Sequence, residues 1–229
     1  MNILGIIPAR GGSKGFPRKN LALLKGRPLL SYTCEAALRS RTLTGVILST
    51  DDPEMERVGR ECGVDVPFIR PADLAKDDTA MVDVIQHAVL WIRENRRETP
   101  DILVVLQPTS PLRRAEHIDG AVELLSAKDA DTVVSVIEVP HQFSPVSLMS
   151  ISEGRLVPAS SGTSIFRRQD KPKIYARNGP AVLATRRETV EAGSLYGATI
   201  LPLEMSRADS IDIDSAEDMA LAEFWMDRR

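Results

Sequence analysis

The chain has 229 residues, enough to bury a full core as one α/β domain, or one domain with a sizeable excursion. Its 43% hydrophobic and 27% charged residues are those of an ordinary globular protein, and the formal charge of −3 argues against a general nucleic-acid binder, which carries a basic excess. Cys34 and Cys62, without CxxC spacing, read as small core residues rather than a disulfide or zinc framework, and no apolar stretch has signal-peptide or membrane-spanning character, so a cytoplasmic protein is expected.

The first element is "NILGIIPA", a continuous apolar run of the kind found in strands buried on both faces. It ends in "RGGSKGFPRKN". "RPLLSYTCEAALRS" predicts a helix with Pro28 in its first turn. "GVILSTDD" reads as a strand, "PEMERVGREC" as a short helix and "VDVPFIRP" as a weak third strand. A long helix follows in "TAMVDVIQHAVLWIREN", with Val82, Ile85, Val89 and Ile92 toward the core. "DILVVLQPTS" is the clearest central strand, "RAEHIDGAVELLSA" a helix and "DTVVSVIEV" another strand. Residues 141–175 break the pattern with Ser, Pro and Gly and one hairpin near Glu153-Gly154, which reads as an excursion from the sheet. "AVLATR" and "ATILPL" resume strand character. "SIDID" reads as a short last strand before a helix with Ser215 and Asp218 in capping-box spacing. Such alternation predicts a mainly parallel sheet covered by helices on both faces, with ligands beyond the carboxyl ends of the strands.

That rule selects the residues after strands. Glycines let backbone N–H groups approach an anion, so Arg10, Gly11, Gly12, Ser13, Lys14 and Gly15, with Arg18 and Lys19 close behind, favour phosphate over a merely solvated turn. The spacing is neither GxxxxGK[ST] nor GxGxxG. Asp212 and Asp214, two apart, can converge on one hard cation; equally, Asp214 can cap the last helix. Gln107 in "LQPTSPLR" can read a base or a sugar, or close a polar turn. Arg70 follows a strand, and Thr79 alone reads best as a helix cap. His87, His117 and His141 do not cluster. The absence of a nucleophile set favours a reaction between two bound substrates assisted by metal and positive charge.

Taken together, "IIPARGGSKGFPRKN", "RPLLSYT", "STDD", "LQPTSPLR", "RRQDKPKIYARNG" and "SIDIDSAEDM" resemble the acylneuraminate cytidylyltransferases nearly end to end. The resemblance implies a Rossmann-like nucleotidyltransferase fold with an arm at 141–175 that reaches the other subunit of a homodimer. It implies Mg²⁺-dependent transfer of CMP from CTP to a nine-carbon 2-keto sugar acid, with no nucleic-acid or membrane partner. Arg10, Gly11, Gly12, Ser13, Lys14, Lys19 and Asn20 would hold the triphosphate and part of the nucleoside, and Arg70 and Thr79 the nucleotide. Gln107 and Asn178 would face the sugar, Arg167, Arg168 and Gln169 would meet the neighbour's sugar carboxylate, and Asp212 and Asp214 would hold Mg²⁺. Where family members often read "NGAIYI" this chain has "NGPAVLA", so a legionaminic- or pseudaminic-type acceptor stands beside N-acetylneuraminic acid. An eight-carbon Kdo acceptor, a non-catalytic nucleotide binder and a glycosyltransferase using a DxD metal motif are the rival readings.

Overall fold

A computed structural model describes residues 1–12, 16–159, 167 and 172–229. All seven residues of β1 (Ile3–Ala9) are buried, because parallel strands flank it on both sides: β4 (Gly45–Thr50) and β5 (Ile102–Val105). Beyond β5, β10 (Leu183–Arg186) runs antiparallel between β5 and β6 (Thr132–Glu138). β9 (Tyr175–Arg177) pairs antiparallel with the far end of β6, and β11 (Ile200–Glu204) runs parallel to β6 at the edge. Among the described residues these seven strands form the central sheet.

Period-two alternation divides the strand side chains between two cores. Ile3, Ile7, Leu48 and Val104 pack against α1 (Leu29–Leu38), α2 (Pro53–Glu61) and α4 (Ala115–Ala127). Leu4, Ile6, Ile47 and Leu103 pack against α3 (Met81–Arg96) and α5 (Arg187–Glu191). A satellite core of Leu24, Leu29, Leu112, Ile213 and Ala222 seats α6 (Ala216–Met226) on the loops at one end. No helix among the described residues is long and apolar enough to cross a membrane.

Three local expectations change. "VDVPFIRP" makes only the isolated bridges Ile47↔Asp65 and Thr50↔Ile69, with Pro67, which has no N–H to give a ladder, between them. "SIDID" is not a strand: its Ile213 N–H bonds a loop carbonyl, that of Thr109, at 2.8 Å. Pro28 precedes α1 instead of opening it, at the end of a small hairpin of β2 (Leu23–Leu24) and β3 (Arg27–Pro28) that turns on Lys25 and Gly26, both at positive φ.

The hairpin near Glu153-Gly154 is present as β7 (Met149–Ser152) and β8 (Arg155–Pro158), and every one of its strand residues is exposed. Cys34 is buried in α1 and interacts with half-buried Cys62; this interaction and burial push the Cys34 thiol up, while the same interaction pulls Cys62 down to about 7.

Candidate active site

A cleft of about 300 Å³ opens beyond the carboxyl ends of β1 and β5. Arg10, Gly12, Lys19, Asn20, Arg70, Thr79 and Gln107 all line it, so seven residues from five separate stretches of the sequence meet there. Lys76, Asp77 and Thr109 line it as well; Thr109 belongs to the "LQPTSPLR" stretch, and Lys76 and Asp77 did not stand out in the sequence. Ser13, Lys14, Arg168 and Gln169 lie outside the described residues, and Arg167 is exposed. A larger cavity of about 680 Å³ lies elsewhere, against Glu138, Lys173, Glu204 and Arg207, where a cation is already matched: Lys173 bonds Glu138 at 3.1 Å.

The turn after β1 is held in shape by its neighbours. The Gly11 N–H donates to Asp51 at 3.0 Å, and a Cβ on Gly11 would stand 2.9 Å from an Asp52 carboxylate oxygen, so this approach needs glycine. Asp52 is fixed in turn as the N-cap of α2, accepting from Glu54 and Met55. Asn20 braces the turn from below by donating to the Arg10 carbonyl at 3.2 Å. Arg10 pairs with Asp77 at 2.9 Å and donates to the Lys76 carbonyl at 3.0 Å, which draws the segment before α3 over the cleft. Arg18 points elsewhere, to Glu54 at the start of α2 at 2.6 Å.

Arg70 is the unusual cation. Its residue is 4% exposed, and Nη2 stands 3.5 Å from Asp51 without hydrogen-bond geometry. Its Nε and Nη2 have no hydrogen-bond partner among the described residues. Burial lowers its pKa, Asp51 opposes that shift and Arg10 adds to it. Buried guanidinium donors left unsatisfied on a cleft wall are suited to an anion that arrives with its own oxygens. Thr79 does not cap α3; the helix begins after Ala80 without a side-chain cap, and the Thr79 hydroxyl donates to the Asp73 carbonyl at 3.3 Å.

The late aspartates reach the same region. Asp214 accepts from Lys19 at 2.7 Å, and Asp212 accepts from Thr109, so each carboxylate touches a residue of the cleft wall. Ser215, not Asp214, caps α6, in a capping box with Asp218. Asp214 is therefore free of the helix-capping duty. Burial raises the Asp212 pKa, the Thr109 bond opposes that rise, and Asp214 adds to it. Its Oδ1 is buried without a hydrogen-bond partner among the described residues. Among the described residues no group of three or more potential metal ligands occurs. Two carboxylates with a buried free oxygen nonetheless suit Mg²⁺, which takes one or two carboxylates and completes its shell with water and substrate phosphate.

The remaining wall joins Gln107 to the chain between β9 and β10. The Gln107 amide donates to the Gly179 carbonyl at 3.1 Å. Gly179 has φ 116, where a side chain is strained, and a Cβ there would stand 3.5 Å from Asp212 Oδ2. Asn178 does not face the cleft: it is buried, accepting from Ser135 at 2.6 Å and donating to Ser210 at 2.8 Å.

The Asp212 carboxylate is a strained feature of the free protein, because its ionised form is disfavoured by burial and by Asp214. At pH 7.5 with a chelator present, Asp212→Asn is expected to melt a few degrees above the unsubstituted chain, since an amide removes a desolvated charge. Equal or lower melting would show that the carboxylate is already well compensated.

A cytidylyltransferase family model matches residues 4–200. A CMP-N,N'-diacetyllegionaminic acid synthase of Legionella pneumophila is 38% identical over 232 residues, covering 99% of this chain and 97% of that protein. An N-acylneuraminate cytidylyltransferase of Streptococcus agalactiae is 31% identical over 95% of this chain but 52% of its own length, so the chain spans about half of that relative. Among solved structures, a CMP:2-keto-3-deoxy-manno-octonic acid synthetase complexed with CTP superposes with a TM-score of 0.73, over 100% of this chain and 99% of that one; at 16% identity this likeness shows the fold alone. The matched span and the 38% relative settle the affiliation: the chain belongs to the cytidylyltransferase family.

Proposed function

We propose that this chain transfers CMP from CTP to the anomeric hydroxyl of a nonulosonic acid and releases pyrophosphate. The observation that carries the reading is the Lys19–Asp214 contact, which joins the cationic turn after β1 to the late aspartate pair at one cleft. Membership of the family supplies the reaction class, and the synthase from Legionella pneumophila, alike over nearly its whole length, favours a legionaminic-type acceptor.

In this reading Arg10, Gly12, Lys19, Arg70 and, outside the described residues, Ser13 and Lys14 grip the triphosphate. The acceptor oxygen bonds to the α-phosphorus, the bond to the bridging oxygen of the β-phosphate breaks, and the hydroxyl proton is lost. The side chains contribute alignment and cationic charge against the oxygens that become more negative. Asp212 and Asp214 would hold Mg²⁺, which supplies charge neutralisation at the phosphate oxygens. Asn20 keeps the turn in register, Thr79 lines the nucleotide side, and Gln107 presents its free amide atoms to the sugar. Asn178 serves by bracing the wall beside Gln107.

The second part of the reading is a homodimer. A lone two-stranded hairpin is marginal in water, yet β7 and β8 expose Ile151 and Leu156 at 77% and 68%. A second copy covering that hairpin would place Arg167, with Arg168 and Gln169 outside the described residues, near a neighbour's acceptor carboxylate. CTP as substrate and the two free thiols fit a reducing, cytoplasmic setting.

Pyrophosphate release from CTP, measured with a panel of N,N'-diacetyllegionaminic, pseudaminic, N-acetylneuraminic and Kdo acids, tests the reaction. Release with a nine-carbon acid, and its loss in Asp212→Ala, is the expected outcome. Release with Kdo alone would favour the eight-carbon alternative, and none with any acid would overturn the proposal. Sedimentation velocity tests the assembly: a dimer is expected, and a fully active monomer would contradict the shared arm.

A further inference from the structure

Arg113 belongs to none of the groups assigned above. Its residue is 3% exposed, and no carboxylate pairs with it among the described residues. Burial pushes its pKa down to about 9, so it keeps its proton at pH 7 as an uncompensated buried cation. Among the described residues Nε and Nη2 have no hydrogen-bond partner. The polar contacts of the side chain there are two backbone carbonyls, both made by Nη1: Gln107 at 3.0 Å and Ala181 at 2.8 Å.

Those carbonyls lie on the two pieces of chain that build one wall of the cleft. The first belongs to the loop after β5, whose Gln107 side chain reaches the Gly179 carbonyl. The second belongs to the segment between β9 and β10, which Asn178 anchors to Ser135 and Ser210. One guanidinium nitrogen, Nη1, bridges the two stretches, which the Gln107–Gly179 bond shows to be 72 residues apart in sequence. A buried, unpaired cation is a poor device for stability, since an apolar residue of similar length would avoid its desolvation. What an apolar residue would not supply is the spacing of the two carbonyls.

We propose that Arg113 is a positioning residue: by tying the Gln107 and Ala181 carbonyls together it sets the seat of the acceptor sugar. The inference rests on the CMP-transfer reading above. It assigns Arg113 to the acceptor wall and not to the triphosphate, because among the described residues its guanidinium bonds only the Gln107 and Ala181 carbonyls.

Steady-state kinetics of the full chain, Arg113→Met and Arg113→Lys, with each substrate varied in turn, test this. Arg113→Met is expected to raise the KM for the acceptor about tenfold while the KM for CTP stays within about twofold, as for a modest misplacement of one substrate. Arg113→Lys, which keeps the charge and a single donating nitrogen on a shorter side chain, is expected to fall between the two. Its value decides the matter if the Met chain does not fold. A purely structural residue would lower the melting temperature and the active fraction and leave both KM values unchanged. That result, or equal shifts in both KM values, would overturn the proposal. If the unsubstituted chain itself turned over no CTP with any acceptor, the reaction assignment would fall instead.

Discussion

One backbone hydrogen bond organises the candidate active site: the Ile213 N–H to the Thr109 carbonyl, 2.8 Å long. It fastens the segment before the last helix to the loop after the central strand β5. Ile213 is fully buried among Leu24, Leu29, Leu112 and Ala222, so the apolar effect holds the segment where the hydrogen bond registers it. Asp212 and Asp214 flank that anchored isoleucine. One consequently meets Thr109 and the other Lys19, although Lys19 and Asp214 are 195 residues apart in the chain. The Ser215–Asp218 capping box fixes the helix start immediately afterwards and leaves Asp214 available to the cleft.

The second organising feature is charge held in reserve. In the free protein the cleft cations are matched by carboxylates: Arg10 by Asp77, Lys19 by Asp214, and Arg70 loosely by Asp51. This explains how a chain with a net charge of −3 can maintain a concentrated basic turn without self-repulsion. Arg10 and Lys19 sit in ion pairs with exposed partners, which are weak and readily exchanged. Arg70 differs, because burial denies its donors water as a substitute. A polyphosphate would give those donors what neither Asp51 nor solvent provides.

The strands were plain from the sequence where both faces are covered, because β1 and β5 then need continuous apolar runs. The stretch after β1 was legible as a glycine and basic turn, and Arg10, Gly12 and Lys19 from it do line the cleft. "SIDID" misled in one respect: its alternation is real, with Ile213 buried, but its hydrogen-bond partner is a loop, which periodicity cannot foresee. "VDVPFIRP" carried β-branched residues into a place where Pro67 leaves room only for isolated bridges. Thr79 looked like a cap because it precedes a helix, whereas that helix starts two residues later with no side-chain cap. Lys76 and Asp77 were invisible, and Arg113, though inside "LQPTSPLR", had no role that the sequence could give it. Their meaning lies in contacts with Arg10 and Ala181, made across tens of residues, and no local pattern records such pairs.

The account stands on the joint occupation of one cleft by a nucleoside triphosphate and a divalent cation. Crystals grown with CTP and Mn²⁺ in place of Mg²⁺, with data collected for anomalous scattering, address it directly. The account predicts the triphosphate against Arg10, Gly12, Lys19 and Arg70, with an anomalous peak between its oxygens and the Asp212 and Asp214 carboxylates. A triphosphate lodged instead in the cavity beside Lys173 and Arg207, or a peak remote from both aspartates, would contradict it.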